Sequence, residues 1–270
     1  MPQLGRSGLT PNLAQISPAV SISLSGVGVR RGSVEALRDV SFDVPSGTLS
    51  AVVGPNGAGK SSLFGVLSGR LDASTGKVRV TGPVAEVLQT TAIDDQLALT
   101  VEDVVRIGRY PSLGFLRAMR ATDRRIVADA LHAVDLHPLR RRPIHELSGG
   151  QRQRALLAQG LAQAAPVLLL DEPMTGLDVP SQRIVLDILR AAADAGTTVL
   201  FATHDLAHAA LADNVIVLAC ECVCCAPPID AFADPAVTAL FGPGPLRDEE
   251  SMASLDIGNA PLLSSEAGSH

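Results

Sequence analysis

The sequence has no tryptophan, one tyrosine and six phenylalanines, so aromatics make up only 3 % of its 270 residues. A chain of this length can bury a sizeable core, and that core must be built mostly from Leu, Val, Ile and Ala. Lysine is almost as scarce: Lys60 and Lys77 are the only two, and the remaining basic residues are arginines. A lysine inside a glycine-rich loop is therefore hard to dismiss as chance. No run approaches the ~18 consecutive apolar residues of a membrane span; the best stretch, Leu161 to Leu170, is broken by Gln163 and Pro166. Met1 to Val20 carries Pro2, Pro11 and Pro18 and no continuous apolar region. That pattern reads as a flexible extension over 1–19 and not as a signal peptide, so a cytosolic chain with reduced cysteines is expected. There is no excess of positive charge either. A net charge of −6 argues against a nucleic-acid binder that works through bulk charge. No internal repeat is present.

With 46 % apolar and 19 % charged residues the composition is globular. Val20 to Val44 predicts short strands with a turn at Arg31-Gly32-Ser33. Thr48 to Val53 is an apolar strand that runs into Gly54, and Lys60 to Leu67 has the pattern of a helix closed by Gly69. Val78 to Val80 and Val84 to Leu88 follow as strands. Between Glu102 and Arg142 the texture changes to nine arginines and five acidic residues, with Ile126, Ala130, Leu131 and Val134 at helical spacing: a helical insertion. A helix from Ser148 to about Gln163, the continuous apolar strand Val167 to Leu170, a helix near Pro180 to Ala193 and the strand Thr197 to Ala202 complete the alternation. Such alternation predicts an α/β core. After Pro243 a disordered tail is expected over 243–270.

Residues Gly54, Pro55, Asn56, Gly57, Ala58, Gly59, Lys60, Ser61 and Ser62 fit G-x-x-x-x-G-K-[ST] between a strand and a helix. The glycines let the backbone curl so that amide N–H groups converge on an anion, and the helix start adds its positive end. Lys60 is placed to reach phosphates and Ser61 to put a hydroxyl on Mg²⁺. The strand Val167–Leu170 ends at Asp171 and Glu172, at the sheet edge where α/β proteins bind ligands. Asp171 suits Mg²⁺, and Glu172 can polarise an attacking water. His204 ends another strand, where it could contact a γ-phosphate, and Gln89 a third, where its amide could orient water or touch Mg²⁺; alone, His204 reads first as a solvated or capping histidine and Gln89 is unremarkable.

Leu147-Ser148-Gly149-Gly150-Gln151 changes the reading. With it, the chain from about Val20 to about Phe241 resembles the nucleotide-binding subunit of an ATP-binding-cassette (ABC) transporter. Gly54–Ser62 matches the Walker A motif, Gln89 the Q-loop and residues 147–151 the LSGGQ signature. Val167–Glu172 matches the Walker B strand, Gly176-Leu177-Asp178 the D-loop and His204 the switch histidine. The resemblance implies an α/β P-loop NTPase of ABC type over 20–242. Its RecA-like core would carry an antiparallel β subdomain and a helical subdomain insertion at about 100–160. It implies an ATPase using ATP and Mg²⁺, with Glu172, His204 and Gln89 catalytic and Ser61, Gln89 and Asp171 at the metal. Ser148, Gly149, Gly150 and Gln151 then face the γ-phosphate held by a second copy, in a head-to-tail dimer. The expected partners are separate transmembrane permease subunits and, indirectly, an extracytoplasmic solute-binding protein, at the cytoplasmic face of the membrane.

One departure from the family stands at Arg31, where an aromatic residue usually stacks on adenine; a guanidinium can stack there, or it can be solvated. Ile107 to Leu116 (IGRYPSLGFL) and Leu156 to Gln163 are similar to cassettes of metal-ion importers, leaning towards zinc or manganese. Siderophore, haem or cobalamin import, and a cytosolic ABC ATPase without a membrane partner, stay open. Tyr110, Phe115 and Leu116 are candidate anchors for a membrane subunit. All four cysteines fall within Cys220–Cys225. Simple alternation puts Cys220, Cys222 and Cys224 on one strand face, which raises metal sensing beside the plainer reading of strand thiols.

Overall fold

The computed structural model describes residues 19–87, 99–113 and 118–242. The expectations for the N-terminal extension up to residue 18, for Gln89, for Phe115 and Leu116, and for the tail after residue 242 lie outside them.

The described residues begin with β1 (Val20–Arg31) and β2 (Val34–Pro45), a hairpin longer than the short strands expected, turning at Gly32 and Ser33. β3 (Leu49–Val53) leads into α1 (Lys60–Leu67), followed by β4 (Thr75–Val80) and β5 (Val84–Val87). β1, β2 and β4 form a three-stranded antiparallel sheet in the order β2-β1-β4. Next come α2 (Val101–Ile107), α3 (Tyr110–Leu113), α4 (Ala121–Ala133) and α5 (Gly149–Leu161). β6 (Val167–Asp171), α6 (Val179–Asp194), β7 (Thr198–Thr203) and α7 (Leu206–Ala209) restore the alternation. Then follow β8 (Asn214–Leu218), β9 (Cys222–Ala226), α8 (Pro228–Ala233) and α9 (Pro235–Phe241); β9 is the strand read at the cysteines, while sequence patterning did not anticipate β8, α8 and α9.

The second sheet has the order β5-β6-β7-β3-β8-β9, parallel except for the β8–β9 hairpin. Its central strands are mostly apolar because both faces are covered, with Ser50 buried in β3 and Thr198 and Thr203 at the two ends of β7. Successive side chains alternate between faces. Leu168, Leu170, Val199 and Phe201 join one core with α2, α4, α5 and α6. Val167, Leu169, Leu200 and Ala202 join another with β1, β2 and α1. The register levels Asp171 with Ala202 and Val53 with Thr203. The ends of β3, β6 and β7 therefore finish side by side, with β7 in the middle.

The helical insertion is held by a buried ion pair. Arg109 donates to Asp123 Oδ1 (3.0 Å) and to the carbonyls of Ala162 (2.8 Å) and Gln163 (3.2 Å), just past the end of α5. The Arg120 N–H also donates to Asp123 (2.9 Å). That backbone bond, helped by the Arg109 guanidinium, holds the Asp123 carboxyl below its ordinary pKa. Arg109 is thus buried, whereas Arg124 and Arg125 of the same insertion are exposed.

The cysteines do not follow simple alternation. Cys220 precedes β9 in left-handed backbone (φ 63°). On β9, Leu218 pairs with Cys222 but Val217 pairs with Cys224, so Val223 is the extra residue of a β-bulge. Cys222 therefore packs into the core that holds Leu218, and Cys224 into the one that holds Val217. Burial pushes the Cys222 thiol up to about 11 and raises Cys224 too, so neither offers a ready thiolate. Among the described residues no group of three or more His, Cys, Asp or Glu is placed to hold a metal ion. The plainer reading, strand thiols, accounts for Cys222 and Cys224.

Candidate nucleotide site

β3 delivers the chain to Gly54 at the sheet edge, where only glycine fits: an added Cβ would lie 2.3 Å from the carbonyl oxygen of Leu218. Gly59 closes the loop in left-handed backbone (φ 97°), 2.4 Å from Ala36 O at the same test. The loop is thus wedged between β2 and the end of β8. Cys220 locks the wedge: its N–H donates to Ala58 O (2.9 Å) and its carbonyl accepts from Arg38 N–H (2.7 Å). Gly59 gives α1 no side-chain cap, so the first amides of that helix are left facing the loop as an anion site.

Lys60 is buried, and its ammonium donates to the carbonyls of Gly54 (2.6 Å) and Pro55 (3.2 Å). Two of its three donors hold it over the loop, and the third suits an anionic oxygen. Ser61 Oγ donates to Asp171 Oδ2 at 3.2 Å. Burial raises the Asp171 pKa, and the Ser61 hydrogen bond opposes that rise. Serine hydroxyl and carboxylate are hard oxygen donors. Mg²⁺ commonly takes one or two such protein ligands, water and phosphate oxygens, so the pair fits that ion.

Glu172 follows with φ 49°, a left-handed backbone that is uncommon for a non-glycine residue and clusters at functional sites. Its Oε2 accepts from Thr175 Oγ1 (2.8 Å) and lies 3.8 Å from His204 Nδ1. Glu172 is the shared wall of two hollows. A cleft of about 330 Å³ is lined by Asn56, Gly57, Ala58, Gly59, Lys60, Ser61, Ser62 and Asp171. A cavity of about 130 Å³ beside it contains His204. Gly54 and Pro55 shape the loop from behind without lining the cleft. Sequence reasoning missed Val34, Glu35, Ala36 and Cys220, which line its other side. Arg31 is exposed at the end of β1, paired with Val34 across the hairpin and not itself in the lining.

The signature forms the start of α5. Ser148 Oγ accepts from Gln151 N–H (3.2 Å) and Gln151 Oε1 accepts from Ser148 N–H (3.1 Å), a capping box. Gly150 packs so tightly on α6 that an added Cβ would lie 2.5 Å from Ser181 Oγ. Among the described residues lining the cleft, none comes from Ser148, Gly149, Gly150 or Gln151. One chain therefore brings the loop, Asp171, Glu172 and His204 together and leaves its signature elsewhere.

The arrangement suits a polyphosphate with a divalent cation, and comparison with known proteins identifies the family. The ABC transporter family profile matches residues 37–175. The Synechocystis manganese transport system ATP-binding protein MntA is 42 % identical over 211 residues, covering 74 % of this chain and 81 % of that protein. The hemin import ATP-binding protein HmuV of Rhodococcus jostii is 37 % identical over 240 residues, covering 84 % and 81 %. A metal-chelate-type ABC transporter solved in an inward-facing conformation superposes with a TM-score of 0.76 at 30 % identity, covering 82 % of this chain and 88 % of that one. The chain belongs to the ABC transporter family and is one of its ATP-hydrolysing cassettes.

Proposed function

We propose that the protein is the ATPase subunit of an importer for a divalent metal cation such as manganese or zinc. The observation that carries the enzymatic part is the position of Glu172, between the phosphate-loop cleft and His204. The loop amides from Gly54 to Gly59 and the Lys60 ammonium hold the β- and γ-phosphates of ATP. Ser61 and Asp171 would hold Mg²⁺, with Gln89 as a further ligand; when bound, the ion neutralises phosphate charge. Glu172 orients and polarises the attacking water, while His204 meets the γ-phosphate. Arg31 stands at the adenine end.

The separation of signature from cleft supports a second copy in head-to-tail arrangement, whose Ser148, Gly149, Gly150 and Gln151 close over the γ-phosphate. No described helix is long and apolar enough to cross a membrane. Separate permease subunits are proposed to span it, with the cassettes on the cytoplasmic face and a solute-binding protein delivering cargo on the other side. The proposed cassette domain spans 20–242, with its helical subdomain near 100–160. The manganese relative supports a metal cargo, and the hemin relative supports haem as the second reading. Glu172→Gln is expected to keep ATP affinity while hydrolysis falls by about 100-fold or more. ATP turnover near the wild-type rate would contradict the role of Glu172.

A further inference from the structure

The cavity beside Glu172 has walls from two strands. One is the segment after β6 that includes Met174, Thr175 and Gly176; the other is Thr203 to Asp205, at the end of β7. Glu172 stands on the first wall and His204 on the second. Local hydrogen bonds shape each wall separately. Thr175 N–H donates to Glu172 O (3.2 Å) and Leu177 N–H to Met174 O (3.2 Å). Asp205 N–H donates to Thr203 Oγ1 (3.1 Å), and Asp205 Oδ1 accepts from Ala207 N–H (2.8 Å). These bonds do not fix the separation between the walls.

Two side chains span that separation. Gln182 on α6 donates from Nε2 to the Leu177 carbonyl (3.1 Å), and its Oε1 lies 3.2 Å from His208 Nε2. His208, on α7, places Nδ1 3.6 Å from Asp205 Oδ2. The Leu177 carbonyl can only accept, so it takes the Gln182 NH₂. The amide oxygen then turns to His208, which must carry a proton on Nε2. Only 13 % of the His208 side chain is accessible, so water competes poorly for this bond.

We infer that Gln182 and His208 are positioning residues for hydrolysis. The pair ties the wall bearing Glu172 to the wall bearing His204, and so sets how those two groups meet the γ-phosphate. Both act through Glu172 and His204 and not on the nucleotide itself. The inference rests on the roles proposed for those two residues, because misplacing a reacting group by ~1 Å can cost about 100-fold in rate.

The test is the ATPase kcat and KM of the full chain, with ATP affinity, for Gln182→Ala, His208→Ala, the double variant and His208→Gln. Each single alanine is expected to lower kcat about tenfold, with KM and ATP affinity unchanged within roughly twofold. The double variant is expected to be no slower than the slower single, since the two act as one unit. His208→Gln can donate to the Gln182 oxygen and is expected to recover most of the rate. Wild-type kcat in both singles, losses that multiply in the double, or an effect confined to KM would overturn the inference. If His208→Ala melts below the assay temperature, Gln182→Ala and His208→Gln decide by the same criteria. Glu172→Gln, assayed alongside, keeps the two ideas apart. Normal hydrolysis by that variant removes the reading of the site. A dead Glu172→Gln with fully active bridge variants removes only the bridge.

Discussion

Two helix starts in this chain carry glycines before a polar run, and they are finished differently. α1 has Gly59 as its cap, with no side-chain bond, and the buried Lys60 folded over the loop. α5 has Ser148 and Gln151 capping each other, with the cap Ser148 and the first helical residue Gly149 exposed. The first leaves its early amides uncapped, with the Lys60 ammonium folded onto the carbonyls of its own loop, an arrangement suited to an anion. The second satisfies itself and faces outward. A helix start that caps itself can stand stably in solvent and still offer its positive end. A start that leaves its amides uncapped is best suited to a site the chain encloses itself. The difference supports the proposal that one chain grips the phosphates with its own loop and lends its signature to the site of a second copy.

The sharpest way to break this comparison is Lys60→Ala. It is expected to weaken ATP binding by about 100-fold or more, through loss of a charge-assisted contact and of the bonds that hold the loop. Titration of ATP into the variant checks this. Ser148→Arg should leave ATP affinity of the single chain within roughly twofold. Hydrolysis should fall about 100-fold if, as proposed, the signature serves the site of a second copy. A joint loss of affinity and turnover would place Ser148 in its own chain's cleft.

A third prediction sharpens the structural side. Arg109 holds both Asp123 and the carbonyls just after α5, so Arg109→Ala leaves a buried carboxylate without its partner. The melting temperature should fall by roughly 10 °C. The Asp123 pKa is depressed in the fold. Its stabilising contribution is therefore complete above the ordinary carboxylate range, about pH 4, and is lost as pH falls through the depressed value. Asp123→Asn should remove that part of the acid sensitivity in a series of thermal melts. The smallest effect is expected from Arg31→Ala, with ATP affinity reduced about threefold by loss of a stacking contact at an exposed site and per-site turnover unchanged. Unchanged affinity would assign Arg31 to solvent.

Much of this was legible before the fold was known, for stated physical reasons. The loop from Gly54 to Ser62 and the strand ending at Asp171-Glu172 declare themselves because their chemistry is local in sequence. The apolar runs Val167–Leu170 and Val199–Ala202, the latter inside the strand read at Thr197 to Ala202, are continuous because both faces of the sheet are covered. What stayed hidden depends on contacts between distant segments. Val34, Glu35 and Ala36 line the cleft only because Gly59 presses against β2. Cys220 reaches the loop only through the β8–β9 turn. Gln182 and His208 meet across α6 and α7 with no spacing signal to announce them. The cysteine alternation failed for a single residue, the bulge at Val223, since one inserted residue swaps every later side chain to the other face.

The central claim is that ATP is held between the loop of one chain and the signature of another. Sedimentation of the hydrolysis-impaired Glu172→Gln protein tests it most directly. With ATP its mass should double, and the added Ser148→Arg change should return it to a single chain that still binds ATP. A protein that binds ATP fully while its mass stays that of one chain would contradict the account.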